Sequence, residues 1–246
     1  MDKRTRACID LTINRTPLVY TKKGRERVKR VRDDDILSWI TPTAASLWTP
    51  GVPIHVRFLE GESSLQKKVQ DYASEWARHG NLKLQFVSDG PAEIRITFMQ
   101  GAGSWSTIGT DSLSVTNQDQ PTMNYGWLTP DSSDDEIAQV VLHEFGHAVG
   151  LAHEHQNVAG GIKWNKEQVY KDLSGPPNNW DREKIDHNMF DRYDETIAIY
   201  SEFDPKSIML YPIPVSWTLD GFGAGFNNAE LSEKDKEFVG VSYPKR

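Results

Sequence analysis

Four chemically demanding residues in one short stretch, His143-Glu144-Phe145-Gly146-His147-Ala148-Val149-Gly150-Leu151-Ala152-His153, constrain this chain more than anything else in it. On an α-helix, His143 and His147 project from one face about 6 Å apart along the axis. Two imidazoles so placed can reach one zinc ion. A helix that ran on would carry His153 roughly 15 Å beyond His143, so a third ligand requires the helix to stop first. Gly150 is where it can stop. Glycine takes the left-handed conformation that follows a helix without steric cost, and the chain can then swing His153 back to the metal. Three neutral nitrogens leave a fourth position for water, and Glu144, beside the first ligand, is placed to act as its general base.

The flanking sequence predicts the scaffold for that stretch. Asp131 to Glu136 is an acidic lead-in suited to a helix N-terminus, and Ile137, Val140, Val141, Leu142 and Phe145 form the apolar back of the helix. Upstream, Ile54, Val56 and Phe58 alternate as a half-buried strand. A helix follows, with Leu65, Val69, Tyr72, Ala73 and Trp76 at helical spacing, Ser63 and Gln66 as a capping box and Gly80 at its end. Leu82, Leu84 and Phe86 predict a second strand, and Ile94, Ile96 and Phe98 a third. Strand, helix, strand suggests a right-handed parallel crossover, whereas Ser88-Asp89-Gly90-Pro91-Ala92 reads as a hairpin turn, so the pairing of the second and third strands stays open. Gly101 to Gly109 is read as a loop, and residues 121–128 as an edge strand opened by Pro121. Beyond His153 come two short helices over 165–173 and 180–190, a glycine-rich loop over 220–228, and a C-terminal helix capped by Ser232 and Asp235 that is expected to anchor the lower part of the molecule. His155 is a rival third ligand, but the distance from Gly150 favours His153; His55, His79 and His187 lack metal-like spacing.

The HExxHxxGxxH pattern resembles the signature of the metzincin zinc endopeptidases, and Glu154, directly after the third histidine, is similar to the astacin-type branch. Ser207-Ile208-Met209-Leu210-Tyr211-Pro212 matches the Met-turn SxMxY of that branch. The resemblance implies an α/β (α+β) zincin-like fold: a twisted, mostly parallel sheet with an antiparallel edge strand, an active-site helix, and an irregular C-terminal subdomain below the cleft. It implies one catalytic Zn2+ on His143, His147 and His153. Met209 would be an apolar floor beneath the ligands, and Tyr211 a phenol that contacts zinc at rest and then donates to the oxyanion. Substrate, a peptide or protein, would pair along the edge strand near Tyr125. In the branch the residue matching Glu154 meets the amino terminus created by activation; here a nearby cation is the other reading.

Composition bounds the rest. The chain has 246 residues, enough for one catalytic unit with a sizeable core, and a single cysteine, Cys8, so it cannot form an internal disulfide. That departs from animal astacins and fits a bacterial or fungal relative or an intracellular protein. No run of about 18 apolar residues predicts a membrane span. Met1-Asp2-Lys3-Arg4 lacks the apolar stretch of a signal peptide, which leaves location open between the cytoplasm and export with the signal removed. Residues 1–32 hold 11 Lys or Arg against 3 Asp or Glu, a balance of +8, while the whole chain carries −7, so the remainder carries −15. A basic arm thus precedes an acidic body that would repel phosphate, which argues against a nucleic-acid partner. The arm over 1–42 is read either as a surface-packed tail or as a pro-segment lying over an acidic cleft, and Cys8 either as an idle thiol or as an inhibitory zinc ligand. Residues 43–153 would form the N-terminal catalytic subdomain and 154–246 the C-terminal one, in an expected monomer. A zinc endopeptidase is the expected function; the alternative is a catalytically idle metzincin-like domain that binds peptide or serves a toxin, against which the retained Glu144 argues.

Overall fold

The computed structural model describes residues 9–11, 46–157, 159–176, 178–191, 202–225 and 228–245; Cys8 and the rest of the basic arm lie outside these. Among the described residues, six strands form one sheet: β1 (Ile9–Leu11), β2 (Pro53–Phe58), β3 (Lys83–Phe86), β4 (Ile94–Thr97), β5 (Ser104–Thr107) and β6 (Met123–Tyr125), in the order β1-β5-β6-β4-β2-β3. Strand β2 pairs in parallel with both β3 and β4, so β3 and β4 are not neighbours and residues 88–92 carry the chain across β2. The open question resolves against the hairpin. The antiparallel pair in this sheet is β5 with β6, and β1 lies parallel to β5 on its outer side.

Two expectations are corrected here. Residues 121–128 do not supply the edge: β6 is wholly buried between β4 and β5, and the antiparallel strand comes from the glycine-serine segment read as a loop, which borders the catalytic sheet with β1 of the arm beyond it. Pro121 costs nothing because it precedes the ladder, and Asn124 knits the border strand on, its amide bonding the carbonyls of Met99 and Gly103 and its Oδ1 accepting from Met99 N–H. Nor does Ser63 cap helix α1 (Ser63–His79), whose N-cap is Glu62 without a side-chain bond. Gln66 donates to the Glu60 and Gly61 carbonyls instead.

The active-site helix α2 (Asp134–Ala148) starts as its sequence requires. Ser133 accepts from Glu136 N–H, and Asp134, Asp135 and Glu136 place negative charge at the positive end of the dipole. Ile137, Val141, Leu142 and Phe145 then join one core with Val56, Val69, Trp76, Ile96 and Met123, where full burial of each such side chain is worth about 1.5–3 kcal/mol. Trp76 of α1 also donates its indole N–H to Leu142 C=O at 3.0 Å, locking the two helices in register. A second apolar cluster, below, gathers Val169 and Leu173 of α3 (Lys166–Leu173), Ile185 of α4 (Arg182–Ile185), and Trp180, Met189, Leu210, Tyr211, Ile213 and Trp217.

The terminal helix α5 (Glu233–Ser242) has the expected capping box of Ser232 and Asp235. It differs from expectation in its partner: Phe238, Val239 and Tyr243 pack into the upper core beside α1, not into the lower cluster. Its last side chain secures the end of the active-site helix. Tyr243 Oη donates to Val149 C=O at 2.5 Å and accepts from Trp48 N–H at 3.3 Å, while the Trp48 indole donates to Ala148 C=O at 2.7 Å. Carbonyls that a helix end leaves unpaired are thereby satisfied inside the core. Tyr243→Phe is expected to lower unfolding free energy by about 1–3 kcal/mol, measured by urea denaturation, because it strands two buried backbone groups.

Candidate metal centre and active site

Helix α2 ends where the sequence stops it. Gly150 has φ +104°, and the turn closes with Gly150 N–H to His147 C=O at 2.8 Å and Leu151 N–H to Gly146 C=O at 2.9 Å, the paired bonds of a Schellman motif. A Cβ at 150 would also stand 2.9 Å from Leu47, so both conformation and space call for glycine. The reversed chain returns His153 to the helix. His143, His147 and His153 are all buried, and one ring nitrogen of each lies within 4.8 Å of the other two.

Hydrogen bonds fix which nitrogens face inward. His143 Nδ1 lies 2.8 Å from Ile208 C=O and His147 Nδ1 2.9 Å from Leu151 C=O; a carbonyl can only accept, so both Nδ1 atoms carry the proton. Each Nε2 is then a lone pair turned into the cluster, as a metal ligand must be. His147 Nε2 and His153 Nε2 stand 3.1 Å apart. Two nitrogens each bound to one tetrahedral zinc would be separated by about 3.3 Å. The donor set therefore fits zinc. His155 does not compete: its Nε2 meets Asn188 C=O at 2.7 Å, and its ring stacks on Tyr211 with centroids 4.5 Å apart.

Around the ligands stand the other residues singled out from the sequence. Glu144 is buried on α2 next to the first ligand, and its charge helps raise the Tyr125 phenol pKa, after burial itself, so Tyr125 is its neighbour. The buried ring of Tyr211 stands 4.2 Å from His153 and 6.1 Å from His143, centroid to centroid. Met209 lies beneath, so close that a Cβ on Gly146 would come within 2.2 Å of its sulfur. This close approach explains a glycine in mid-helix. The Met-turn is tied to the third ligand's neighbour as well, because Glu154 N–H donates to Met209 C=O at 3.0 Å. Glu154 is buried, and burial pushes its pKa up to about 8 against the pull of two donors, Asp204 N–H at 2.7 Å and the Asn157 amide at 3.1 Å, both on Oε1. Its Oε2 has no hydrogen-bond partner among the described residues.

Comparison with known proteins agrees with this geometry. The family model for Astacin, a family of peptidases, matches residues 41–214, well over half of the chain. The chain belongs to the astacin family. It is a zinc metalloendopeptidase by that membership, with the three-histidine cluster its family requires and peptides or proteins as its substrates. Among solved structures it is similar to one of myroilysin at 41% identity and TM-score 0.81, covering 84% of this chain and 99% of that one. A second myroilysin structure matches at 38% identity and TM-score 0.64, over 87% and 97% of the two chains. High choriolytic enzyme 1, a hatching enzyme zinc-protease of the medaka Oryzias latipes, shares the fold at 15% identity and TM-score 0.55, over 85% and 100%. Comparison with curated protein sequences gave no match.

What sequence reasoning missed is the support behind the ligands. Ser207 and Asp235 form a buried hydrogen-bonded pair under the Met-turn, and only the helix-capping bonds between Asp235 and the half-buried Ser232 were readable, as the Ser-x-x-Asp spacing. Gly146→Ala is expected to cost about 1–3 kcal/mol of stability in the metal-free chain by overpacking against Met209, read from the urea midpoint. An unchanged midpoint would mean that the thioether moves aside freely.

Proposed function

We propose that the chain cuts peptide bonds with Glu144 as general base and general acid in turn, at a site holding one zinc ion on His143, His147 and His153. The observation that carries the proposal is the set of inward-facing imidazole nitrogens, with Nδ1 protons anchored on backbone carbonyls, beside a buried carboxylate on the same helix. Zinc held there would polarise the scissile carbonyl and bring the pKa of a water to about 7. Glu144 takes the proton of the attacking water and passes it to the leaving amine. Tyr211, whose ring lies against His153, would contact zinc at rest and donate a hydrogen bond to the oxyanion as it forms. An extended peptide would be bound by main-chain pairing along the β5 border.

The arm over 1–42 is proposed to be a removable pro-segment. Residues Ile9–Leu11 supply support, because they already pair along β5, Ile9 opposite Trp105 and Leu11 opposite Thr107, where a peptide substrate would add. Cys8 precedes this strand directly and is proposed to deliver its thiolate to the zinc, holding the enzyme latent. Glu154, with one carboxylate oxygen unpartnered among the described residues, is the proposed acceptor for the amino terminus that removal of the arm creates.

A casein digest tests the catalytic assignment. Wild type, Glu144→Ala and Tyr211→Phe are each expected to bind one zinc per chain; Glu144→Ala should lose about 10²–10⁴-fold in rate and Tyr211→Phe about 10²–10³-fold. A zinc-loaded wild type that does not cut would defeat the proposal, as would a Glu144→Ala enzyme that cuts normally. For the arm, Cys8→Ala should raise the activity of the unprocessed chain, and a mass spectrum of the active species should lack residues 1–42. Unchanged latency removes the thiol from the scheme, and full-length mass in the active species removes the pro-segment.

A further inference from the structure

We infer that Asp235, on the terminal helix, is a positioning residue for the zinc ligand His143, acting on it through the peptide group between Ile208 and Met209. The inference rests on His143 being a ligand, as proposed above.

The connection is continuous. His143 Nδ1–H donates to Ile208 C=O at 2.8 Å. The other end of that same peptide group, Met209 N–H, donates to Ser207 Oγ at 3.0 Å. Ser207 Oγ–H then donates to Asp235 Oδ1 at 2.8 Å. Each donor therefore points the same way, from imidazole through amide and hydroxyl to carboxylate. A peptide group that donates from its N–H toward a negative charge becomes more polar and accepts more strongly at its C=O. Many metal-bound histidines pass their second ring N–H straight to a carboxylate, which fixes the ring and raises its basicity. In this chain a carboxylate reaches the imidazole by way of one hydroxyl and one amide.

Asp235 holds the preceding peptide plane as well. Its Oδ2 accepts Ile208 N–H at 2.9 Å and Ser232 N–H at 2.8 Å. Both planes flanking Ile208 are thus set by one side chain, and with them the direction of the carbonyl that orients His143. Helix capping alone asks for less. A capping box needs only the bond to Ser232 N–H, which a partly exposed acidic or amide side chain supplies. Asp235 is instead wholly buried, at a cost that pushes its carboxyl up to about 6, and two of its three donors belong to the Met-turn.

The experiment compares four full-length proteins: wild type, Asp235→Asn, Ser207→Ala and Ser232→Ala. The last weakens the same helix start but leaves every member of the relay in place. Zinc loss to a chelator and the d–d spectrum of the cobalt-substituted protein are read beside thermal stability. Asp235→Asn and Ser207→Ala should release zinc about 10–100-fold faster and shift the cobalt bands, whereas Ser232→Ala lowers the melting temperature with zinc release within about twofold of wild type. Should Asp235→Asn fail to fold, Ser207→Ala decides alone. The inference is overturned if the relay variants keep wild-type zinc release and cobalt bands, or if all three variants lose zinc in step with their loss of stability. A wild type that binds no zinc would instead overturn the assignment of His143 as a ligand.

Discussion

The reversal of the chain at Gly150 is the constraint on which the site depends. Two ligands on a helix need only the helix, but the third lies beyond its end and must come back within 4.8 Å of the others. A helix end in a protein interior exposes carbonyls that nothing within the helix can satisfy. The turn at Gly150 takes the Gly146 and His147 carbonyls, and Trp48 and Tyr243 take those of Ala148 and Val149. Trp48 precedes β2 and Tyr243 ends the terminal helix, so both ends of the catalytic region converge on one helix terminus. Positioning His153 is thus a property of the whole upper core, not of the eleven-residue signature alone.

How much could be read without the fold follows from where each signal sits in the chain. Metal ligands at fixed spacing and the glycine between them were legible because local geometry and chemistry dictate them, and the Met-turn was legible through its resemblance to the astacin-type motif. Helices α1 and α2 were legible from apolar spacing. The sheet border was not. Ser104-Trp105-Ser106-Thr107 shows no apolar alternation, and whether a strand lies at an edge depends on which distant segment pairs with it. Residues 121–128 looked like an edge because a proline opens them, yet the place of Met123–Tyr125 is set by Asn124 bonding residues 21 and 25 positions away. Asp235 shows the same limit within the site. Its capping role is a three-residue pattern, whereas its bonds to Ser207 and Ile208 span 28 and 27 residues and leave no local mark.

The Met-turn straddles two cores. Ile208 and Met209 belong to the upper cluster with the helix that carries His143 and His147; Leu210 and Tyr211 belong to the lower one. A single peptide step therefore separates a residue packed beneath the histidine cluster from the segment bearing the Tyr211 phenol. The groups that must stay still are packed and hydrogen-bonded to the upper side: Met209 against Gly146, His143 to Ile208 C=O, His147 to Leu151 C=O. The Tyr211 ring stacks on those of His155 and His153, with centroids 4.5 and 4.2 Å away. The boundary between the two cores thus falls inside the Met-turn, and within three residues the chain passes from the packed floor under the histidine cluster to a ring stacked against one of its members.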